Sequence, residues 1–124
     1  MSKRPKPLVL VVDDEPDIRI ILRKTLERLN YAVEEAASGA EALTKAMEQR
    51  PDAMLIDQRL PDFAGYEVTL HLVQLGVRIP TALMSGYPGV DQLARAAGIQ
   101  HFLQKPLVYE NVQPFMTELL RPTA

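Results

Sequence analysis

The chain has 124 residues, no cysteine and two histidines, with 14 basic against 16 acidic side chains for a net charge of −2. This is one domain of ordinary size, without thiolate chemistry, disulfides or a cysteine-based zinc site, and without the basic excess that holds nucleic acid. Hydrophobic residues make up 47%, enough for a packed core, yet no apolar run approaches the roughly 18 residues that span a bilayer. The basic N-terminus leads into only five apolar residues, too few for a signal peptide, so a cytoplasmic domain with no membrane or direct nucleic-acid partner is expected.

Residues 1–7 are polar and carry Pro5 and Pro7, which predicts a flexible tail. Leu8-Val-Leu-Val-Val12 is a continuous apolar run, the mark of a strand buried on both faces. Asp13, Asp14, Glu15, Pro16 and Asp17 then suit the first turn of a helix, where the dipole favours acids and proline's missing N–H costs nothing. Ile18, Ile21, Leu22, Leu26 and Leu29 keep helical spacing, Arg23, Lys24 and Arg28 crowd the far end, and Asn30 can close it. Tyr31 to Ala36 reads as a second strand. Ser38-Gly-Ala-Glu41 is a capping-box pattern opening a helix through Leu43, Ala46 and Met47. Ala53 to Asp57 is a third strand, followed by a loop through Pro61 and a helix from Gly65 to Gly76. Ile79 to Met84 is a fourth strand with Pro80 near its start. A short helix over Val90 to Ala97 stops at Gly98, and Gln100 to Leu103 forms a fifth strand. Val108, Val112, Phe115, Met116, Leu119 and Leu120 mark a last amphipathic helix, in which Pro114 is tolerable only with a late start near Asn111 or a kink. Residues 121–124 make a C-terminal tail, leaving one domain over residues 8–120. Strands alternating with helices five times predict an α/β fold, a parallel sheet covered on both faces and joined by right-handed crossovers.

In such sheets ligands sit beyond the carboxyl ends of the strands. The first strand delivers Asp13 and Asp14 there, the third Asp57, the fourth Ser85, and the fifth Lys105 after one glutamine. Each alone has a plain structural explanation as a helix cap, a turn residue or a loop dipeptide. Together, three carboxylates on one rim repel one another and call for a cation. Oxygen ligands with few carboxylates suit Mg2+, whose octahedron fills with water and phosphate oxygens. The lysine offers a compact charge to an oxyanion and the serine a neutral donor. This is the equipment of phosphoryl transfer, in which the protein positions groups and neutralises charge.

With these residues in place, the sequence resembles the receiver domain of bacterial two-component response regulators, the chemotaxis-regulator fold. The resemblance covers residues 8–120. It is carried by Asp13-Asp14, by Asp57-Gln-Arg-Leu-Pro-Asp-Phe-Ala-Gly65, by Met84-Ser85-Gly86 and by Phe102-Leu-Gln-Lys105-Pro106, in family order and spacing. It implies a single (βα)5 doubly wound domain with flavodoxin-like strand order 2-1-3-4-5. It makes Asp57 the phosphoacceptor, with Mg2+, or Mn2+ in its place, held by Asp14, Asp57 and the Arg59 carbonyl, and by Asp13 through water. Ser85 would bond a phosphoryl oxygen, Lys105 would pair with the phosphoryl group, and the Lys105–Pro106 bond would be cis. Phe102 falls at the switch aromatic. Gly65 and Gly86 fit points where the backbone turns or approaches a ligand closely. His71 and His101 read as structural or surface residues.

The sequence departs from the family pattern in three respects. Arg59 and Tyr87 occupy variable positions that tune phosphoryl lifetime. The stretch from Ser85 to Lys105 is shorter than usual by about half a helical turn, which bears on the fourth helix of the usual output face. Leu107 replaces a common aromatic. The function implied is a phosphorylation-controlled switch, loaded by a histidine kinase or histidine phosphotransfer protein and catalysing only its own phosphorylation and dephosphorylation. An aspartyl-phosphate phosphatase or phosphotransferase is the enzyme alternative, but it would usually carry a second aspartate two residues after the nucleophile, where Arg59 stands. A scaffold receiver working without phosphorylation is the other alternative, and the intact acid pair, acceptor and lysine argue against it.

Overall fold

The computed structural model describes residues 4–107 and 109–121. Strands β1 (Leu8–Val12), β2 (Ala32–Ala36), β3 (Ala53–Asp57), β4 (Thr81–Ser85) and β5 (His101–Gln104) alternate with helices α1 (Pro16–Arg28), α2 (Gly39–Gln49), α3 (Gly65–Gln74), α4 (Val90–Ala96) and α5 (Tyr109–Leu119). The strands pair in parallel in the order β2-β1-β3-β4-β5. The expected (βα)5 topology is therefore present.

The three inner strands are apolar on both sides because both sides are covered. Leu10, Val12, Met54, Ile56 and Leu83 face α2, α3 and α4, packing with Ala42, Ala46, Val68, Leu72 and Ala94. Val9, Val11, Leu55 and Met84 face α1 and α5, packing with Leu22, Leu26, Val112 and Met116. Burying one such leucine contributes about 1.5–3 kcal/mol relative to leaving it in water. β2 is an edge strand, and its charged residues are paired: Glu35 with Arg19 and Arg23, Glu34 with Lys45.

Local signals account for most element ends. Pro16 opens α1, and Asn30 closes it in the left-handed region at φ 72°. The Ser38 hydroxyl accepts the Glu41 amide at 3.1 Å at the start of α2, while the Glu41 carboxylate accepts the Ala37 amide. Other boundaries differ from expectation. β4 starts at Thr81 because Pro80 has no N–H for the ladder, and it runs on to include Ser85. β5 lies one residue further along than expected. α5 starts at Tyr109, earlier than Asn111, with Pro114 inside it. The missing amide deprives only the carbonyl of Glu110, an exposed residue near the start of the helix. Val108, one of the residues that marked this helix, lies outside the described residues, as do 1–3 and 122–124 of the expected tails. Within the expected N-terminal tail, the Arg4 guanidinium reaches the Gln49 and Arg50 carbonyls at the end of α2 and pairs with Asp52 at 3.2 Å.

Candidate functional site

The carboxyl ends of β1, β3, β4 and β5 bring the sequence-named residues to one rim. Asp13 follows β1 directly and is fully buried. Its Oδ1 accepts the Glu15 amide at 3.0 Å, and its Oδ2 accepts from Lys105 Nζ at 2.7 Å. Asp57, the last residue of β3, is 7% exposed, with Oδ1 3.1 Å from the same Nζ. Asp14 is exposed beside them. One oxygen from each of Asp13, Asp14 and Asp57 lies within 4.8 Å of the others, forming an all-oxygen cluster able to hold a metal ion.

Burial pushes the Asp57 carboxyl above the ordinary aspartate range, and the neighbouring Asp13 charge adds to this, while Lys105 offsets part of it. Burial alone would lower the Lys105 ammonium, but its bonds to Asp13 and Asp57 outweigh that and hold it above its ordinary value. Lys105 thus stays charged between two acids. It is held in place by its own amide, which donates to the Ser85 carbonyl at 2.8 Å, and it precedes a cis bond to Pro106, as the resemblance implies.

The loop after Asp57 is tightly folded. The Gln58 amide donates to the Met84 carbonyl and the Gly65 amide to the Gln58 carbonyl, both at 2.9 Å, and Arg59 bridges to Ala64. Any side chain at Gly65 would place its Cβ 2.4 Å from the Asp57 carbonyl oxygen, so glycine is required by close approach. Ala64 has no side-chain acceptor to cap α3; instead Glu67 reaches back to the Ala64 amide at 2.8 Å. Asp62 accepts the Gly39 and Ala40 amides at 2.8 and 2.9 Å, tying this loop to the start of α2. The Ala40 bond, with the Gly39 bond, holds the Asp62 carboxyl below its usual range despite the opposing effect of desolvation.

Ser85 is buried at the rim, and its hydroxyl accepts the Tyr87 amide at 3.0 Å. The Arg59 guanidinium lies 4.0 Å above the Tyr87 ring and donates to its hydroxyl at 3.3 Å, linking the loops after β3 and β4. Phe102 is outside this cluster. It sits on edge strand β5, 36% exposed, with the Arg95 guanidinium 5.8 Å from its ring. Gly86 has open space around it, its nearest neighbour being Lys105 Cβ at 4.0 Å, so close approach does not require a glycine there. His71 packs edge-on to Phe63 and His101 edge-on to Phe115, away from the carboxylates. The sequence reading had not singled out Asp62 or Arg19, whose contacts reach across the chain. A groove of about 730 Å³ opens at the opposite end of the sheet among Leu72, Val77, Ile99 and Leu119 and holds none of the rim residues.

A doubly wound domain that gathers three acids and a lysine at its carboxyl rim belongs to the class of phosphoryl-handling α/β folds. The response regulator receiver domain model matches residues 9–114, and the chain belongs to that family. Response regulator MprA of Mycobacterium avium (strain 104) is 35% identical over 117 residues, covering 93% of this chain and 51% of the relative. The chain thus spans about half the length of the curated relatives it matches. Among solved structures, the chemotaxis response regulator CheY4 of Vibrio cholerae superposes with a TM-score of 0.85 at 30% identity, covering 93% of this chain and 99% of that one. A CheY-like receiver domain protein from Methanospirillum hungatei JF-1 gives 0.84 at 26%, covering 93% and 94%. The chain is therefore a signalling receiver domain of the two-component type. Among the described residues, no helix is long and apolar enough to cross a membrane.

Proposed function

We propose that Asp57 is the phosphoacceptor of a cytoplasmic two-component switch, loaded from the phosphohistidine of a histidine kinase or phosphotransfer protein. The observation that carries this reading is Lys105, whose one ammonium bonds both Asp13 and Asp57 at the carboxyl rim. The phosphorus–nitrogen bond of the donor breaks as an Asp57 oxygen bonds the phosphorus, and the imidazole leaves with the electron pair. Lys105 faces the charge that gathers on the phosphoryl oxygens, and the Ser85 hydroxyl, free to donate, offers a second bond. The all-oxygen donor set fits Mg2+, or Mn2+, which Asp14, Asp57 and the Arg59 carbonyl would hold, with Asp13 assisting through water. When bound, the ion offsets the charge of the acceptor and the incoming oxygens. The domain acts only on its own phosphorylation and dephosphorylation. In an enzyme acting on outside phosphoesters, the position of Arg59 would carry a general acid, and a guanidinium cannot release a proton in this range.

Loading draws Ser85 toward the phosphoryl group, and Phe102 turns inward on β5. Support comes from the register, which sets Leu83 against Phe102 and Ser85 against Gln104.

The test is incubation with acetyl phosphate and Mg2+, read by intact mass. One phosphoryl adduct is expected. Asp57→Asn should abolish it, and Asp13→Asn or Asp14→Asn should reduce it. A labelled Asp57→Asn protein with the group on a serine refutes the assignment.

A further inference from the structure

Asp13 stands one residue past the ladder between β1 and β2, whose last registered pair is Val12 with Ala36. Its amide still finds the Ala36 carbonyl at 3.1 Å. Its carbonyl has no such strand partner. A continued parallel ladder would offer the amide of residue 38, but there the chain has already turned into α2 with Ser38 as N-cap.

Arg19 occupies the gap. Its Nη1 donates to the Asp13 carbonyl at 2.6 Å, and its Nε donates to Glu35 Oε1 at 3.0 Å. Glu35 is held from its other oxygen by Arg23 Nε at 2.6 Å. The Arg19 side chain is 17% exposed, so this fork is largely shielded from water. The Asp13 carbonyl belongs to the peptide that joins Asp13 to Asp14, and the tilt of that peptide sets the direction in which the Asp14 side chain leaves the backbone. This matters because the Asp14 carboxylate has no hydrogen bond or ion pair of its own among the described residues. Asp13 and Asp57 are aimed by Lys105, whereas Asp14 is aimed by its backbone alone.

We propose that Arg19 is a positioning residue: it fixes the Asp13–Asp14 peptide against edge strand β2 so that the Asp14 carboxylate meets a divalent cation already in place. This rests on the metal reading of the rim given above. A lysine keeps the charge but lacks the planar fork that sets Nη1 on the Asp13 carbonyl and Nε on Glu35 in fixed directions. Sign separates positioning from bulk electrostatics. Deleting a cation beside the rim would by Coulomb's law tighten a divalent ion, whereas releasing the Asp14 backbone loosens it.

The experiment is Mn2+ binding to the full chain, followed by electron paramagnetic resonance of the free ion, for wild type, Arg19→Lys, Arg19→Met and Arg23→Met. Arg19→Lys and Arg19→Met should bind about tenfold more weakly, the low end of what outer partners of metal ligands contribute. Arg23→Met removes a comparable pair to Glu35 without touching Asp13, and should stay within about twofold of wild type. Circular dichroism melts without metal identify unfolding; should Arg19→Met not fold, Arg19→Lys decides. Wild-type affinity in Arg19→Lys overturns the inference, as does an equal loss in Arg23→Met. If wild type itself shows no saturable binding, the metal reading falls, and this inference with it.

Discussion

Replacing Gly65 with alanine tests whether the loop after β3 is built around the Asp57 carbonyl. The added Cβ would lie 2.4 Å from that oxygen, 3.0 Å from Leu83 Cδ1 and 3.1 Å from the Asp57 carbonyl carbon. Cβ contacts under 3.0 Å are essentially never tolerated, so the gap must open by at least about 0.6 Å. The obstacle is backbone at the end of a buried strand and cannot swing aside as a side chain would. Overpacking of this kind costs about 1–3 kcal/mol, and alanine's lower chain entropy returns at most about 1 kcal/mol at the head of a helix. A net loss of about 1–2 kcal/mol lowers the melting temperature of a domain this size by roughly 3–10 °C. The same displacement carries Asp57 away from Lys105 and Asp14, so Mg2+-dependent labelling by acetyl phosphate should fall at least about tenfold. Gly86→Ala is the control: its nearest neighbour is 4.0 Å away, so it should melt like wild type. Thermal melts and intact-mass labelling decide. A Gly65→Ala protein that melts with wild type and labels normally would refute the argument that close approach fixes the acceptor.

An aspartate whose folded-state pKa is raised above its unfolded value loses folded-state stability as pH rises through that window, and the loss is absent below the unfolded value. Without Mg2+ at pH 7, Asp57→Asn should therefore melt above wild type, and the difference should vanish as the pH falls below the ordinary aspartate range; a constant difference at all pH values contradicts the raised Asp57 value. Arg59→Ala and Tyr87→Ala each break the stack over the rim, and each should change the phosphoryl half-life several-fold while Mg2+ affinity stays similar; unchanged decay in both removes the pair from the mechanism. A beryllofluoride mimic of the phosphoryl group should change amide exchange most in residues 85–103, and Ser85→Ala should blunt this although Asp57 still binds the mimic; changes confined to the metal-site loops would place the output elsewhere.

The fold was legible because its signals are local. The apolar runs of β1 and β3 are short and bounded by turn residues, as buried strands are, and the caps at Pro16, Ser38 and Asn30 act within a turn of the chain. The rim was legible because the carboxyl end of a parallel sheet is a fixed address, so Asp13, Asp14, Asp57 and Lys105 could be assigned by position. What escaped depended on distant partners. Asp62 meets α2 more than twenty residues earlier in the chain, and Arg19 serves a carbonyl left bare by the early turn of another strand; in neither case does the local sequence show the partner. Pro114 left two readings open, a start near Asn111 or a kink, and α5 starts at Tyr109 with the proline inside it. The rule against proline costs less where the carbonyl that loses its partner belongs to an exposed residue, as Glu110 does.

The ties made by Asp62 have a practical consequence. The loop after β3 is moored to α2 by two charged hydrogen bonds, whereas residues 86–89 after β4 are all exposed and enter α4 through Gly89 with no side-chain cap. Among the described residues, the loop after β4 keeps only the contacts of Tyr87 with Arg59 and Ser85, and none that ties it to a helix as Asp62 ties the other loop. For anyone converting this domain into a sensor, the two flanks are not equivalent. If the proposed switch runs through Ser85 toward α4, a fluorophore on α2 would serve as the steady internal reference and one on α4 would carry the signal, both read from a single labelled chain.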